Sequence, residues 1–372
     1  MDLFTYGTLR SHALMAAVAG PGPLDPVPAE LAGHAVYPVA DNVVPFIRSR
    51  DGAVAEGVLW RGLTAAQKAR LDLYEMAFGY GFGTVTVNAS GDMHEARAYL
   101  PPPDLSAGPG EWSLDEWQAR HLTPAVLAAD ELFAHDPLPD PAQLATMWPM
   151  IEARAWSKYR AAAAPVTTRS PASPDAFTAR PLSPPEGRFF RFQSFSVAHR
   201  RFDGTRATGL RREAFWGIDA AFVLPYDPAR DRVILVEQAR IGPHLRRDPN
   251  PWMLEPVAGI IDARETPAEA ALRETEEEAG LRGVTLVEAG SFYISPGNAT
   301  DYFYTFLGLT DLPQDAPYLG GLDAENEDLR LHPMSFDAAL ALADSGEIAT
   351  APALHLLYWL HRHRAELRGS TV

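Results

Sequence analysis

The sequence predicts two domains of mixed α and β structure joined by an extended linker, and three observations carry that expectation. At 372 residues the chain exceeds the roughly 250–300 residues over which one hydrophobic core stays practical. From about 161 to 187 it reads AAAAPVTTRSPASPDAFTARPLSPPEG, a Pro/Ala/Ser-rich composition that buries too little to offset the entropy of ordering. On either side of that stretch, segments with the two-residue period of strands alternate with segments of helical period. The expected divisions are residues 1–160, a linker over 161–187, and 188–372.

In the first block the strand-like segments are LFTYGTL (3–9), VVPFIRS (43–49), AVAEGVLWRG (53–62) and GTVTVNA (83–89), followed by helices over about 113–122 and 124–134. In the second they are AAFVLPYD (220–227), RVILVEQAR (232–240) and YFYTFLGL (302–309), with helices over 267–279 and near the C-terminus. The helix over 267–279 has the clearest ends. Thr266 suits the N-cap, Pro267 the first turn, Glu269 the reciprocal position of a capping box, and Gly280 the left-handed residue past the C-terminus.

Composition narrows the chemistry. Without cysteine there is no disulfide framework, thiolate nucleophile or zinc–thiolate site, so a metal would sit on oxygen or imidazole. With 32 Lys+Arg against 48 Asp+Glu and a net charge of −16, the chain's field repels phosphate polyanions, and no nucleic-acid partner is expected. No apolar run reaches the roughly 20 residues of a membrane span. The N-terminus lacks the basic opening of a signal peptide. A cytoplasmic protein without a membrane partner is expected.

The most informative segment is GIIDARETPAEAALRETEEEAGL, Gly259 to Leu281. On a helix, Glu274, Glu277 and Glu278 share one face, where like charges repel close to the negative end of the helix dipole. A divalent cation would reverse that penalty, because hard ions take carboxylate oxygens. Gly259, Glu265, Arg273, Glu274, Glu277, Glu278, Gly280 and Leu281 match the Nudix box, so the second block resembles the Nudix hydrolases. Thr275 stands where that family has a bulky aliphatic residue, and looser helix packing is expected there. The resemblance implies an α/β/α sandwich that hydrolyses a nucleoside-linked diphosphate with Mg²⁺, or Mn²⁺ in its place. It also implies that Glu274 and Glu278 are the principal ligands, that Glu277 and the Ala258 carbonyl support them, and that Arg273 orients the carboxylates.

Outside the box, RFFRFQ (188–193), HRRFDG (199–204), RREAF (211–215), EQARIG (237–242), PWMLEPVAG (251–259), SPGNATD (295–301) and ENEDLR (325–330) resemble the ADP-ribose pyrophosphatase branch, including its tellurite-resistance-associated type. That likeness implies a swapped homodimer burying the strands around 189–225. Phe189 would stack on adenine, and Arg212 and Glu213 would approach the nucleotide. Arg240 would meet the diphosphate, Glu255 would hold substrate, and Pro296, Gly297 and Asp301 would line the ribose loop, with Asp301 replacing the usual Glu. It further implies that Glu325 is the general base and Glu327 a metal ligand.

The first block carries LFTYGTLR (3–10) and GVLWRGLTAAQKARLDLYE (57–75), which resemble the γ-glutamylcyclotransferase-like, or AIG2-like, family over about residues 1–120. The resemblance implies a mixed β-barrel with helices. The loop Tyr6, Gly7, Thr8, Leu9 would hold a γ-glutamyl carboxylate, and Glu75 would be the acid/base that releases 5-oxoproline. Met76 stands where that family has Gly, and FGYGF (78–82) is expected to reshape the pocket.

The expected protein is thus an α+β two-domain fusion that cleaves ADP-ribose to AMP and ribose 5-phosphate. The alternatives are another nucleotide sugar or dinucleotide as substrate, or a non-catalytic nucleotide sensor, with the first domain a binding module.

Overall fold

The structure, a computed structural model, describes all residues except 163–165, 170–172, 174, 313–315, 323–326 and 370–372. It divides into two compact units, Met1–Phe189 and Phe190–Val372.

In the first unit β1 (Leu3–Thr5) passes through a single 3-10 turn, Thr8–Arg10, into α1 (His12–Ala19). The hairpin β2 (Asp25–Pro38) and β3 (Pro45–Arg61) follows, then α2 (Ala65–Met76) and the hairpin β4 (Gly81–Ala89) and β5 (Asp92–Leu100). Helices α3 (Leu114–Leu132) and α4 (Pro141–Ala161) and the short strand β6 (Phe177–Pro181) complete it, so 161–187 holds some regular structure. The first five strands close into a barrel in the order β1-β3-β2-β4-β5, with β1 meeting β5 in parallel at Leu3 and Arg97.

Strand alternation explains both faces of that barrel. Phe4, Leu31, Ile47, Leu59, Val87 and Ala96 form one cluster, while Leu3, Trp60 and Tyr99 join Leu14, Met15, Val18, Trp117 and Ala129 of the covering helices. Two expectations are corrected here. Segments 43–49 and 53–62 belong to one 17-residue strand, β3. The two helices expected over 113–122 and 124–134 are one, α3, with Pro124 inside it. Proline in a helix interior costs about 3 kcal/mol, and the burial of Trp117, Pro124, Ala128, Ala129 and Leu132 outweighs that loss.

In the second unit the antiparallel hairpin β7 (Arg191–Arg200) and β8 (Arg206–Trp216) precedes β9 (Ala220–Asp227), β10 (Arg232–Ala239), α5 (Ile241–Arg246), β11 (Trp252–Glu255) and β12 (Val257–Ile260). Then come α6 (Pro267–Ala279), β13 (Thr285–Tyr293), β14 (Tyr302–Leu309), β15 (Tyr318–Gly320), β16 (Leu329–Ser335), α7 (Phe336–Ser345) and α8 (Ala351–Gly369). The sheet runs β13-β14-β9-β10-β16-β15, with β11 paired to β10 and β12 to β9. Only β9 and β14 among its named pairs run parallel. Alternate residues of β9 and β10 face opposite layers: Val223, Ile234 and Val236 meet Ala270 and Ala271 of α6, and Leu224, Val233 and Leu235 meet Phe336, Leu356 and Leu360 of α7 and α8. The result is the α/β/α sandwich.

Candidate functional site

In the second unit the site is built on α6. Its ends form as the sequence dictates: Thr266 and Glu269 make a reciprocal capping box, Pro267 opens the helix, and Gly280 closes it at φ 67°. Such a cap contributes about 1 kcal/mol and fixes the register of the carboxylates. Thr275 does not loosen the helix. It is fully buried, and its hydroxyl donates to the Ala271 carbonyl at 2.6 Å, so a polar group fits an apolar position without an unmet hydrogen bond.

Glu278 is 2% exposed and accepts one hydrogen bond, from the Ala258 amide at 3.1 Å. Burial, with Glu274 and Glu327 nearby, pushes its carboxyl up to about 8. Glu274 is pushed up to about 7, again chiefly by burial. Its carboxylate lies over Gly259 so closely that a Cβ there would stand 1.7 Å from Oε1, which explains the glycine.

Arg273 spreads over the remaining acids. Nε donates to Glu265 at 2.9 Å, Nη1 to Glu274 at 2.6 Å and to Glu277 at 3.0 Å, and Nη2 to Glu265 at 3.0 Å and the Ile260 carbonyl at 3.1 Å. With Glu274 and Glu277 drawn to it, no three acidic or histidine side chains converge on one point among the described residues. The donor set is nonetheless all oxygen, and a buried and a half-buried carboxyl, both raised above their usual range, are groups that a hard divalent cation would stabilise as anions. The residues present fit such an ion.

The segment after β15 reaches the same place. The Glu278 carbonyl accepts from the Gly321 amide at 3.2 Å, and a Cβ on Gly320 would stand 2.0 Å from that carbonyl. Tyr318 donates to the Ala279 carbonyl at 3.1 Å. These donors satisfy the exposed end of α6 and bring Glu327 within electrostatic reach of Glu274 and Glu278. Glu325 lies outside the described residues.

Of the other candidates, Arg240 and Glu255 are bonded to each other at 2.7 Å. Arg212 and Glu213 are exposed on β8, with Arg212 donating to the Arg211 carbonyl. Pro296 and Gly297 are exposed in a loop latched to Phe215 through the Asn298 carbonyl and Thr300 amide. Asp301 packs on Gly217, where a Cβ would meet its Oδ1 at 2.1 Å, and burial raises its carboxyl. Phe189 falls in the first unit, half exposed, its carbonyl accepting from Arg154 at 2.7 Å.

In the first unit Tyr6 of the signature loop lies within electrostatic reach of Glu75. Among the described residues the amides of Gly7, Thr8 and Leu9 form no hydrogen bond, while the Gly7 and Thr8 carbonyls accept from Arg10 and Ser11. Gly7 lies against Pro45, whose Cγ would stand 3.0 Å from a Cβ, and the Pro45 carbonyl accepts from Tyr80 at 3.3 Å. Glu75, near the end of α2, is pushed up to about 7 by burial. Its charge reaches the hydroxyls of Tyr6, Tyr74, Tyr80 and Tyr99. Tyr80 of the FGYGF segment thus faces the site, while Phe78 packs on Tyr74 and on Trp148 of α4. Sequence reasoning missed Asp72 and Tyr99. The signal for Asp72 was available, three residues before Glu75 on one helix face; for Tyr99 there was none short of the barrel's closure.

Comparison with known proteins finds a family for each unit. The family model described as gamma-glutamyl cyclotransferase, AIG2-like, matches residues 3–119, and the NUDIX domain model matches residues 218–356. The ADP-ribose pyrophosphatase of Escherichia coli (strain K12) is 37% identical over 181 residues, covering 49% of this chain and 86% of that protein. That of Haemophilus influenzae is 36% identical over 184 residues, covering 49% and 84%. The GDP-mannose pyrophosphatase of Enterobacter sp. (strain 638) is 29% identical over 170 residues, covering 45% and 87%. With the box residues running from β12 through α6 to its C-terminal turn and relatives alike over most of their length, the chain belongs to the Nudix family and is a hydrolase of nucleoside diphosphate derivatives.

Proposed function

We propose that the second unit cleaves ADP-ribose to AMP and ribose 5-phosphate, with Mg²⁺ or Mn²⁺ held by Glu274, Glu277, Glu278, Glu327 and the Ala258 carbonyl. The observation that carries the reading is the pair of Glu278, buried, and Glu274, half-buried, on one face of α6, both raised in proton affinity without a cation, in a segment 37% identical to an ADP-ribose pyrophosphatase. When bound, the ion neutralises the diphosphate and acidifies the attacking water. Arg273 keeps the carboxylates aligned, Arg240 leaves Glu255 for the diphosphate, and Glu325 takes the water's proton as a P–O bond breaks. Arg212, Glu213, Pro296, Gly297 and Asp301 bind the nucleotide and ribose, and Phe189 stacks on the adenine.

The chain acts as a homodimer through its β7–β8 hairpin, on which Phe192 is 44% exposed and Phe202 fully exposed. Strand β9, at the end of the 189–225 segment, is buried in the subunit's own sheet and takes no part. A nucleotide sugar is the second reading, favoured by the GDP-mannose pyrophosphatase relative. Initial rates of AMP or GMP release across ADP-ribose, GDP-mannose and dinucleotides decide: ADP-ribose is expected to give the highest kcat/KM, and a preference for GDP-mannose would displace it.

The first unit cyclises γ-glutamyl amines. Free amides at Gly7, Thr8 and Leu9 hold the substrate carboxylate. The substrate's α-amine attacks its own γ-carbonyl, Glu75 takes the amine proton and delivers it to the departing amine, and 5-oxoproline leaves. Glu75→Gln is expected to lower 5-oxoproline release by about 10²–10⁴-fold with the substrate still bound. An inactive wild type that binds γ-glutamyl compounds would make this unit a binding module.

No helix among the described residues is long and apolar enough to cross a membrane.

A further inference from the structure

Four tyrosines lie within electrostatic reach of Glu75, and phenols around a carboxylate ordinarily donate to it. Here three of the four hydroxyls are engaged elsewhere. Tyr6 donates to the Tyr99 carbonyl at 2.9 Å, Tyr80 to the Pro45 carbonyl at 3.3 Å, and Tyr99 to Asp72 Oδ1 at 2.7 Å. Among the described residues nothing, Tyr74 included, donates to the Glu75 carboxylate.

Two of those acceptors are backbone carbonyls, whatever the side chains. Asp72 is the one that the sequence selects. It stands three residues before Glu75, and so on the same face of α2. Lys68 braces it as an i, i+4 ion pair, and the Lys68 ammonium also lies 4.5 Å over the Phe82 ring, which packs 5.2 Å from Tyr99. Tyr99 is 4% exposed, so its hydroxyl must find an acceptor inside the protein. Besides Asp72, Glu75 is the anion whose charge bears on that hydroxyl among the described residues.

We infer that Asp72 is a positioning residue for Glu75: by holding the Tyr99 hydroxyl it denies the carboxylate a hydrogen-bond donor and keeps it a base strong enough to take an amine proton. Its kinetic consequence rests on the γ-glutamyl reading of this site; its structural consequence does not. Among the described residues the ionisable groups around the site include Lys68, Asp72 and Tyr74 on α2, Tyr6 after β1, Tyr80 after α2, Tyr99 on β5, Arg97 of β5, which lies 4.4 Å over the Phe82 ring, and Glu152 of α4, which acts on Tyr74.

Two measurements on the full chain test the inference. In the first, the pH dependence of p-nitroaniline release from γ-glutamyl p-nitroanilide is followed for four proteins. Asp72→Ala is expected to move the acid limb down by about one pH unit as Tyr99 turns to Glu75. Tyr99→Phe leaves the limb where it is in the wild type, because it removes the donor itself. The double variant returns the limb to the wild-type position. A limb that stays shifted in the double variant would assign the effect to the lost Asp72 charge or the released Lys68, and would overturn the inference; so would an unmoved limb in Asp72→Ala. The isosteric Asp72→Asn gives a smaller shift in the same direction should alanine unfold the unit. In the second measurement, the Glu75 carboxyl is titrated by NMR in protein labelled with δ-¹³C glutamate, its signal identified by its loss in Glu75→Gln. If the wild type turns over no γ-glutamyl compound, the γ-glutamyl reading fails, yet the same pattern of carboxyl shifts still upholds the role of Asp72, and an invariant titration removes it.

Discussion

Glu278→Gln is expected to lower kcat for diphosphate hydrolysis by about 10³-fold or more while making the metal-free protein more stable. Activity falls because an amide oxygen carries no charge for a divalent ion. Stability rises because glutamine keeps the hydrogen bond from the Ala258 amide and removes a buried charge that faces Glu274 and Glu327. The sign with pH follows from a folded-state value near 8, well above that of an unfolded glutamate. The wild type has the full benefit of a neutral Glu278 below the unfolded value and loses it as pH rises toward 8. The variant has nothing to lose over that interval. Its advantage is therefore absent near pH 4, grows with pH, and levels off above about 8, at roughly 1–2 kcal/mol after relaxation of the site. Thermal unfolding with EDTA at pH 5 and pH 8, beside AMP release with Mg²⁺, reads both effects. A variant that keeps its activity, or is less stable at both pH values, would remove Glu278 from the site.

Arg154→Met is expected to cost the first unit about 3–5 kcal/mol. Arg154 is 1% exposed on α4, and its Nε meets Glu131 of α3 at 2.7 Å. Methionine keeps the apolar stem but not the guanidinium, so the Phe189 carbonyl loses its bond from Nη1 and Glu131, itself 6% exposed, is left with Lys158 at 3.1 Å as its ion-pair partner. The double change Glu131→Leu with Arg154→Met recovers most of the loss, since no charge is then stranded. Urea unfolding followed on the first unit distinguishes the two; equal loss in single and double variants would show that shape, not charge, ties α3 to α4.

Much of the second unit was legible because its signals are local. The capping box, terminal glycine and carboxylate spacing of α6 all lie within sixteen residues of sequence, and β9 matched its expected span. The first unit was less legible because its signals are not. Pro26 and Pro28 argue against a strand, yet both lie in β2, beyond the two residues, Ala29 and Glu30, that pair with β4, where missing amides cost least. Pro124 and Pro149 likewise disguise α3 and α4. The ring around Glu75 draws residues from β1 to β5 and exists only once the barrel has closed. In the second unit, the contact of Gly320 with Glu278 spans 42 residues and has no sequence signature at all.

Arg273 gives the hydrolase a resident counter-ion, and this changes what metal binding means. On the proposed reading an incoming cation would not fill a void; Glu274 and Glu277 would trade one positive partner, Arg273, for another. The guanidinium would not be set free by that trade: it would stay moored beside the carboxylates through Glu265 and the Ile260 carbonyl. The carboxylates are thus aligned without a cation, and a bound ion would add to the stability of a fold that already exists.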